Sequence, residues 1–440
     1  MRSQPRMAAV NGVSLPELPT ESLTLGNSLR VRLIPLPHLQ SATVSFFVRV
    51  GSRYETAQTN GLSHFLEHML YRGTEAHPAA HELSLAIERL GGTLDAATHV
   101  DFTSYDLTLP SETIVKGTAL LAEVLRQPLL TELSTEKQII REEILEDLNE
   151  EGSQIDIDNV SRQLLYPDHP LGFSIAGPLG NLDRFESADL RRHHEEHYTA
   201  RNSVICVAGA FDPRELGDAI RSHFDGMPAG GSVQPNAVRR DITPKRFSYV
   251  HEHGSQTDVR LSFHTPGVAS PEAPTFLLLA RVLDDGLSTR VHHTICEERG
   301  LAYEAFAGND TFEDCGVFDF GASVEHGKAP LLVETVLELI DELRRNPPSE
   351  EEVAKAKRRY LWDLRMVRDD PEDTAHFVGS SALFGVPERI GTMAEQVAAV
   401  TPSDIQRALR RYLDPKDAYL TCVGVLDDAL LSDLRGLAGA

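Results

Sequence analysis

The chain is poor in cysteine and in long apolar runs. Among its 440 residues are four cysteines, Cys206, Cys296, Cys315 and Cys422, and no two of them form a C-x-x-C pair. This spacing argues against a disulfide framework and against a thiolate metal site, so a metal would need histidine and carboxylate ligands. No apolar run approaches the roughly 20 residues that cross a bilayer, and we therefore expect no membrane segment.

Positive charge is also scarce. The 42 Lys and Arg residues stand against 66 Asp and Glu residues, which gives a formal net charge of −24. Such a chain repels nucleic-acid phosphates, so we expect no nucleic-acid partner; a cationic or neutral partner would suit it if the acidic residues line a cleft. The stretch 1–22 has no continuous apolar segment, and a secretory signal is therefore not expected. A cytoplasmic location is the resulting prediction.

The sequence repeats itself. Segment 133–148 resembles 348–364, and segment 187–209 resembles 402–424. Three pairs of residues share one offset of 215 positions: Ser134 and Ser349, Asp189 and Asp404, and Gly209 and Gly424. Each half opens with a strand-like segment, ATVSFFVRVGS or TDVRLSFHTPG, and closes on an apolar strand, SVICVAG or AYLTCVG.

These patterns predict an α/β (α+β) protein of two homologous domains that arose by internal duplication. We expect each domain to be a mostly antiparallel sheet packed against helices. The Gly/Pro/Ser-rich stretch 225–237 fits a linker. The predicted domains are therefore residues 1–228 and 229–440.

The stretch GLSHFLEHMLYRGT, residues 61–74, carries the main chemical signal. On a helix His64 and His68 lie about 40° apart on one face, so both imidazoles can reach one ion. With Glu67 they give the order H-x-x-E-H of the inverzincins, in which the glutamate is the general base. The structural alternative is two ordinary helix histidines beside a solvent-facing glutamate.

The second half of the chain argues for the metal. Alignment of Gly73 with Gly286 places Leu277 opposite His64, Ala280 opposite Glu67 and Arg281 opposite His68. The repeat thus keeps the helical pattern and lacks the chemistry. We infer that the histidines of the first half serve a purpose other than packing, and that this purpose is metal binding.

A catalytic zinc uses three protein ligands and keeps one position open for water, so a third ligand is needed. The helical segment STEKQIIREEILEDLNEEG has an apolar stripe formed by Ile139, Ile140, Ile144 and Leu148. Glu143 falls inside this stripe, where an unpaired carboxylate is costly, and it is the predicted ligand. Glu142 projects to the opposite side. Glu136, two turns before Glu143, fits either a supporting role beside the ligands or a partly buried salt bridge.

Several ordered motifs together resemble one family. They are GLSHFLEHMLYRGT, ERLGGTLDAATHVDFTSY, EKQIIREEILED, HPLGFSIAGP and DDGLSTRVHHTICEERGLAY. They resemble the pitrilysin/insulinase metallopeptidases, above all the half-length subfamily with bacterial processing-type proteases and the β subunit of mitochondrial processing peptidase. The likeness runs from about Leu25 to about Val425.

The resemblance implies one Zn²⁺ per chain, bound by His64, His68 and Glu143. It implies that Glu67 is the general base and Glu136 an accessory acid. It further implies that only the first domain carries zinc, and that two such units pair into a chamber for unfolded peptides.

The resemblance also assigns a role to GGTLDAATHVDFTSYDLTL. In the family this is an edge strand to which the substrate adds as a further strand through main-chain hydrogen bonds. It implies that Asp95, Ala96, Ala97 and Thr98 bind the peptide. Asp95 stands where the family usually has Asn, and an ionised Asp cannot donate a hydrogen bond.

A third motif, ICEERGLAY, resembles the family segment that presents an Arg and a Tyr to the substrate carbonyl. The resemblance implies a catalytic role for Tyr303, although from the residues alone this tyrosine would be expected to pack in the core at a helix end. Cys296 replaces the family Arg, and Arg299 lies nearer to the tyrosine. A heterodimer whose related subunit supplies the Arg/Tyr pair is therefore an alternative to a homodimer.

The sequence thus predicts a zinc-dependent endopeptidase for unfolded or extended peptides. The alternatives are the zinc-bearing subunit of such a heterodimer, a non-catalytic assembly subunit of the same fold, and a metal-binding or storage protein. An assembly subunit would be expected to have lost its ligands. A storage protein would have no use for Glu67.

Overall fold

The computed structural model describes residues 7–10, 13–238 and 246–439. The strands are β1 (Met7–Val10), β2 (Val13–Pro16), β3 (Glu21–Thr24), β4 (Arg30–Pro35), β5 (Ser41–Val48), β6 (Thr93–Thr98), β7 (Thr103–Pro110), β8 (Ser203–Gly209), β9 (Phe247–His251), β10 (Thr257–Pro266), β11 (Ala305–Thr311), β12 (Cys315–Val324) and β13 (Tyr419–Gly424). Strands β1 and β2 form a separate antiparallel pair.

The α-helices are α1 (Leu62–Leu70), α2 (Ala80–Glu88), α3 (Ile114–Arg126), α4 (Leu133–Glu146), α5 (Ile157–Leu165), α6 (Leu179–Arg184), α7 (Ser187–His197), α8 (Pro213–Phe224), α9 (Ala273–Leu283), α10 (Ala329–Arg345), α11 (Glu350–Met366), α12 (Pro371–Phe384), α13 (Ile390–Ala399), α14 (Pro402–Tyr412) and α15 (Asp428–Leu437). Short 3₁₀ turns occur at Ser52–Tyr54, Ser111–Thr113, Pro170–Gly172, Ala200–Asn202, His326–Lys328, Val367–Asp369 and Pro415–Asp417, and a π-helical segment at His292–Glu298. Within the described ranges, each helix is too short or too polar to span a lipid bilayer.

The chain forms two compact units, and each contains parts of both halves of the sequence. Unit 1 consists of Met1–Ile144, Ser174–Asn236 and Asp363–Ala394. Unit 2 consists of Leu145–Phe173, Ala237–Trp362 and Glu395–Ala440. The predicted domains, residues 1–228 and 229–440, describe the two sequence repeats, whereas each compact unit combines segments of both repeats. The boundary between the repeats therefore stays a prediction.

Unit 1 contains a six-stranded sheet in the order β3-β4-β8-β5-β7-β6. Only β4 and β8 pair in parallel. The sheet is covered on both faces: Phe46 of β5 stacks on Phe224 of α8, while its neighbour Phe47 contacts His376 of α12, and successive strand residues point to opposite faces. This two-sided burial explains why the central strand β8, SVICVAG, is apolar and buried almost without alternation.

Unit 2 contains a five-stranded sheet in the order β11-β12-β10-β13-β9, in which only β13 and β9 pair in parallel. The order β6-β7-β5-β8-β4 of unit 1 recurs here strand for strand, with its parallel pair in the same place. The predicted fold class, two similar mostly antiparallel sheets packed against helices, is confirmed.

Each unit receives a helix from the other half of the sequence. Helix α5 packs on β10 and β13 within unit 2, and helix α12 packs on β5 and β8 within unit 1. Three arginines hold the C-terminal end of α12: Arg30 and Arg49 donate to the carbonyls of Ala382 and Leu383 at 2.5 and 2.7 Å, and Arg32 binds Glu388 with two hydrogen bonds. Cations are favourable at a helix C-terminus because its free carbonyls carry partial negative charge.

The packing of α12 on β5 requires a glycine. A Cβ on Gly379 would lie 2.2 Å from the ring of Phe47, so we expect Gly379→Ala to destabilise the protein by about 1–3 kcal/mol through overpacking. Gly180 in α6, where nothing lies within 4 Å of an added Cβ, is the matched control. Gly180→Ala should leave stability unchanged or raise it by about 0.4–1 kcal/mol. Thermal unfolding of both variants tests this, and equal midpoints would contradict the packing of α12.

Candidate active site

The start of helix α1 is fixed by a buried carboxylate. Glu55 accepts hydrogen bonds from the main-chain N–H groups of Gly61 and Ser63, at 2.9 and 2.7 Å, and from the Asn60 side chain. Burial raises the pKa of Glu55, against the effect of these hydrogen bonds. Gly61 has φ 101°, and a Cβ there would lie 2.6 Å from the carbonyl oxygen of Ala176. The cap and the glycine together fix the residue at which α1 begins, and so the direction in which each of its side chains points.

Two histidines of α1 lie against one glutamate of α4. The Nε2 atoms of His64 and His68 lie 3.3 Å apart. Glu143 places Oε1 at 3.3 Å from Nε2 of His64 and Oε2 at 3.8 Å from Nε2 of His68. Among the residues that the structure describes, this is the one group of three or more His, Cys, Asp or Glu side chains whose ligand atoms converge within 4.8 Å.

The spacing fits one zinc ion. Ligands bound at about 2.0–2.1 Å in tetrahedral geometry lie about 3.3 Å from one another, close to the separations observed here. Two imidazole nitrogens and one carboxylate oxygen are also the donor set of many catalytic zinc sites, which leave the fourth position open. His64, His68 and Glu143 could therefore hold zinc with little rearrangement.

The electrostatics of the group favour a cation. Burial alone would lower the pKa of His64, but the hydrogen bond to Glu143 and the charges of Glu143, Glu67 and Glu55 raise it. The hydrogen bond from His64 in turn lowers the pKa of Glu143. Carboxylates thus raise the pKa of the imidazole, and imidazoles lower the pKa of the carboxyl, so the group favours a positive charge beside Glu143.

The predicted burial of Glu143 was wrong. Glu143 does not lie inside a buried apolar stripe: 48% of its side chain is exposed, and Ile139 is 47% exposed. Helix α4 ends at Glu146, so Leu148 lies outside it, and the buried face is the narrow row Glu136, Ile140 and Ile144. Glu143 lies at the margin of that row, where it reaches the histidines without being buried.

Glu136 is instead the buried carboxylate of α4. Its Oε2 lies 3.0 Å from Nδ1 of His68, and its Oε1 forms an ion pair with Arg72. When Nδ1 of His68 donates to Glu136, Nε2 is left without a proton and faces Glu143, which is the arrangement a metal-binding histidine needs. Glu136 thus contacts a candidate ligand and is paired as well; its part in catalysis stays a prediction.

Glu67 lies outside the converging group and has a contact of its own. Thr98, the last residue of β6, donates a hydrogen bond from Oγ1 to Oε2 of Glu67 at 2.7 Å. In the described part of the chain β6 pairs only with β7, so it is an edge strand, as the resemblance implied. No sequence pattern pairs Thr98 with Glu67, since the two lie in separate elements.

The other predicted peptide-binding residues line β6. Ala96 and Thr98 share one face of the strand, because side chains alternate. Asp95 and Ala97 therefore share the other face, and Asp95 is exposed. The structure brings Thr98 to the histidine helix and leaves Asp95 on the far side; peptide binding by all four residues stays a prediction.

Tyr303 and its neighbours belong to unit 2. Tyr303 is 90% exposed in the loop before β11, so core packing is the wrong explanation for this residue. Cys296 lies in the π-helical segment, and burial raises the pKa of its thiol. Arg299 donates to Thr335 and Glu338 of α10 at 2.6 and 2.8 Å, so its guanidinium is already bound.

Comparison with known proteins gives consistent matches along most of the chain. The family described as Insulinase (Peptidase family M16) matches residues 30–179, and the one described as Peptidase M16 inactive domain matches residues 184–360. An uncharacterized zinc protease of Streptomyces coelicolor is 27% identical over 94% of this chain and 91% of its own length.

Two solved structures share the fold. A protease from Helicobacter pylori matches with a TM-score of 0.83 at 22% identity, over 93% of this chain and 100% of that one. A peptidase M16 inactive domain from Pseudomonas fluorescens matches with a TM-score of 0.84 at 18% identity, over 92% of this chain and 98% of that one.

The convergence of the three side chains predicts how zinc binding responds to substitution. Glu143→Gln should sharply lower zinc content after dialysis, because it removes the carboxylate of the group. Glu142→Gln is the matched control, since Glu142 adjoins Glu143 and is exposed without facing the histidines. Metal analysis measures both; equal zinc loss in the two variants would contradict the assignment of Glu143.

Proposed function

Because the chain belongs to the insulinase family, peptidase family M16, we propose that it is a zinc-dependent endopeptidase that hydrolyses unfolded or extended peptides. The observation that carries the proposal is the convergence of His64, His68 and Glu143 beside a glutamate, Glu67, that is not part of the converging group. A storage site would not need that fourth residue. A non-catalytic assembly subunit would not need the complete ligand set.

The residues divide the chemistry between them. His64, His68 and Glu143 would hold zinc, which when bound supplies a Lewis acid that makes water a nucleophile at neutral pH. Glu67 accepts a proton from the attacking water and passes it to the amine nitrogen of the leaving product as the C–N bond breaks. Glu136 holds the His68 ring through Nδ1 and so keeps Nε2 directed at the metal position.

The edge strand supports the choice of substrate. An extended peptide can pair with the free edge of β6 through main-chain hydrogen bonds, whereas a folded domain has already committed its main chain to its own structure. Thr98 at the end of this strand touches Glu67. A peptide paired with β6 is therefore brought to the side chain that serves as the base.

Two such chains are proposed to work as a pair, either a homodimer or a heterodimer with a related subunit. Arg299 is bound to α10 and so does not replace the arginine that is missing at Cys296. This observation favours the heterodimer, in which the partner presents the Arg/Tyr pair to the peptide. Mass measurement of the complex purified from its own host distinguishes the two.

The role of Glu67 predicts a separation between metal binding and turnover. Glu67→Gln should keep one zinc per chain, because Glu67 is not a ligand, and should lose peptide hydrolysis by a factor on the order of 10² or more. Metal analysis and a peptide assay on the same sample measure the two properties. Turnover retained in a zinc-loaded variant would place the base elsewhere.

Strand addition predicts selection for unfolded substrates. One cleavage sequence should be cut rapidly in a free peptide and much more slowly when it forms a strand of a folded, disulfide-free domain. Unfolding that domain by a destabilising core substitution should restore cleavage, which controls for its sequence. Comparable cleavage of the folded and unfolded forms would exclude strand addition as the selective step.

A further inference from the structure

The contact between Thr98 and Glu67 joins the edge strand to the candidate base. Thr98 Oγ1 donates to the carboxylate oxygen Oε2 at 2.7 Å, the usual length of an O–H···O hydrogen bond. Main-chain hydrogen bonds fix the position of this threonine. Thr98 pairs with Thr103 in the β6–β7 ladder, and in the turn that follows, the N–H of His99 donates to the carbonyl of Phe102 at 2.8 Å. Thr103 is buried and donates to the carbonyl of Val50.

We propose that Thr98 is a positioning residue for Glu67. Its hydroxyl fixes Oε2, so that the other carboxylate oxygen, Oε1, faces the position where the proton is taken up. A glutamate side chain has three rotatable bonds, and α1 fixes only its Cα. The hydrogen bond from a rigid sheet supplies a second point of attachment, and orientation of this kind contributes strongly to catalytic rates.

The main chain and the side chain of Thr98 would then have separate tasks. The main-chain groups of β6 are available for pairing with a peptide, while the hydroxyl of its last residue holds the base. A substitution that removes only the hydroxyl leaves the main chain intact. The inference rests on the proposed function and predicts a selective loss in kcat, with little change in KM.

Three variants test the inference. Thr98→Val is nearly isosteric and lacks the donor, and should lower kcat about tenfold to a hundredfold, with KM and zinc content within about twofold of wild type. Thr98→Ser keeps the donor and should restore most of kcat. Thr24→Val, at the exposed last residue of β3 on the opposite edge of the same sheet, controls for the change of residue type and should leave both constants unchanged.

Two further measurements separate positioning from a merely structural effect. In a Glu67→Gln background, Thr98→Val should cost little additional kcat, because a residue that acts through the base has no effect once the base is gone. In crystal structures, the Glu67 carboxylate should lie within hydrogen-bond distance of Thr98 in wild type and should be displaced or weakly ordered in Thr98→Val.

A Thr98→Val variant with wild-type kcat, or with an unmoved Glu67 carboxylate, overturns the inference. So does a kcat loss of equal size in the wild-type and Glu67→Gln backgrounds. These outcomes differ from a failure of the proposed function, in which the wild-type protein with zinc would hydrolyse no peptide. The crystal structures would still decide whether Thr98 holds Glu67.

Discussion

The attraction between one glutamate and two imidazoles organises the candidate site. Glu143 on α4 faces His64 and His68 on α1 at 3.3 and 3.8 Å. Two more carboxylates are close: Glu67 belongs to α1 itself, and Glu136 of α4 contacts His68. Arg72 compensates Glu136, but the remaining acidic groups raise the pKa of the buried His64. The cost of concentrating negative charge in this way is lowest when a cation occupies the centre.

The second sheet shows what the fold does without this chemistry. The strand order of unit 1 recurs in unit 2, and α9 is the helix aligned with α1. There Arg281, at the position of His68, binds Asp285 and lies over the ring of Tyr360. The scaffold therefore does not require the histidines. The histidines occur in one copy only, on the helix whose start is capped by Glu55, and metal binding explains their presence best.

The sequence predicted much of this arrangement and failed where long-range packing decides. The helix bearing His64 and His68 and the repeated sheets follow from local periodicity and duplication. The exposure of Glu143 does not follow from local periodicity, because a helical wheel cannot tell which part of an apolar arc packs against a neighbouring element. In the structure Ile140 is buried and Ile139 is exposed. Helix α5 comes from the first half of the sequence and packs in unit 2, and α12 comes from the second half and packs in unit 1. These contacts, like the bond from Thr98 to Glu67, join residues far apart in the chain, and local sequence patterns do not predict them.

Anomalous diffraction at the zinc absorption edge, from crystals of zinc-loaded protein, tests the proposed ligand set of His64, His68 and Glu143. The proposed site should give one zinc peak per chain, bonded to Nε2 of His64, to Nε2 of His68 and to an oxygen of Glu143, with Glu67 and Glu136 outside bonding distance. A zinc ion bound by Glu67 or Glu136 in place of Glu143, or a peak away from α1, would contradict it.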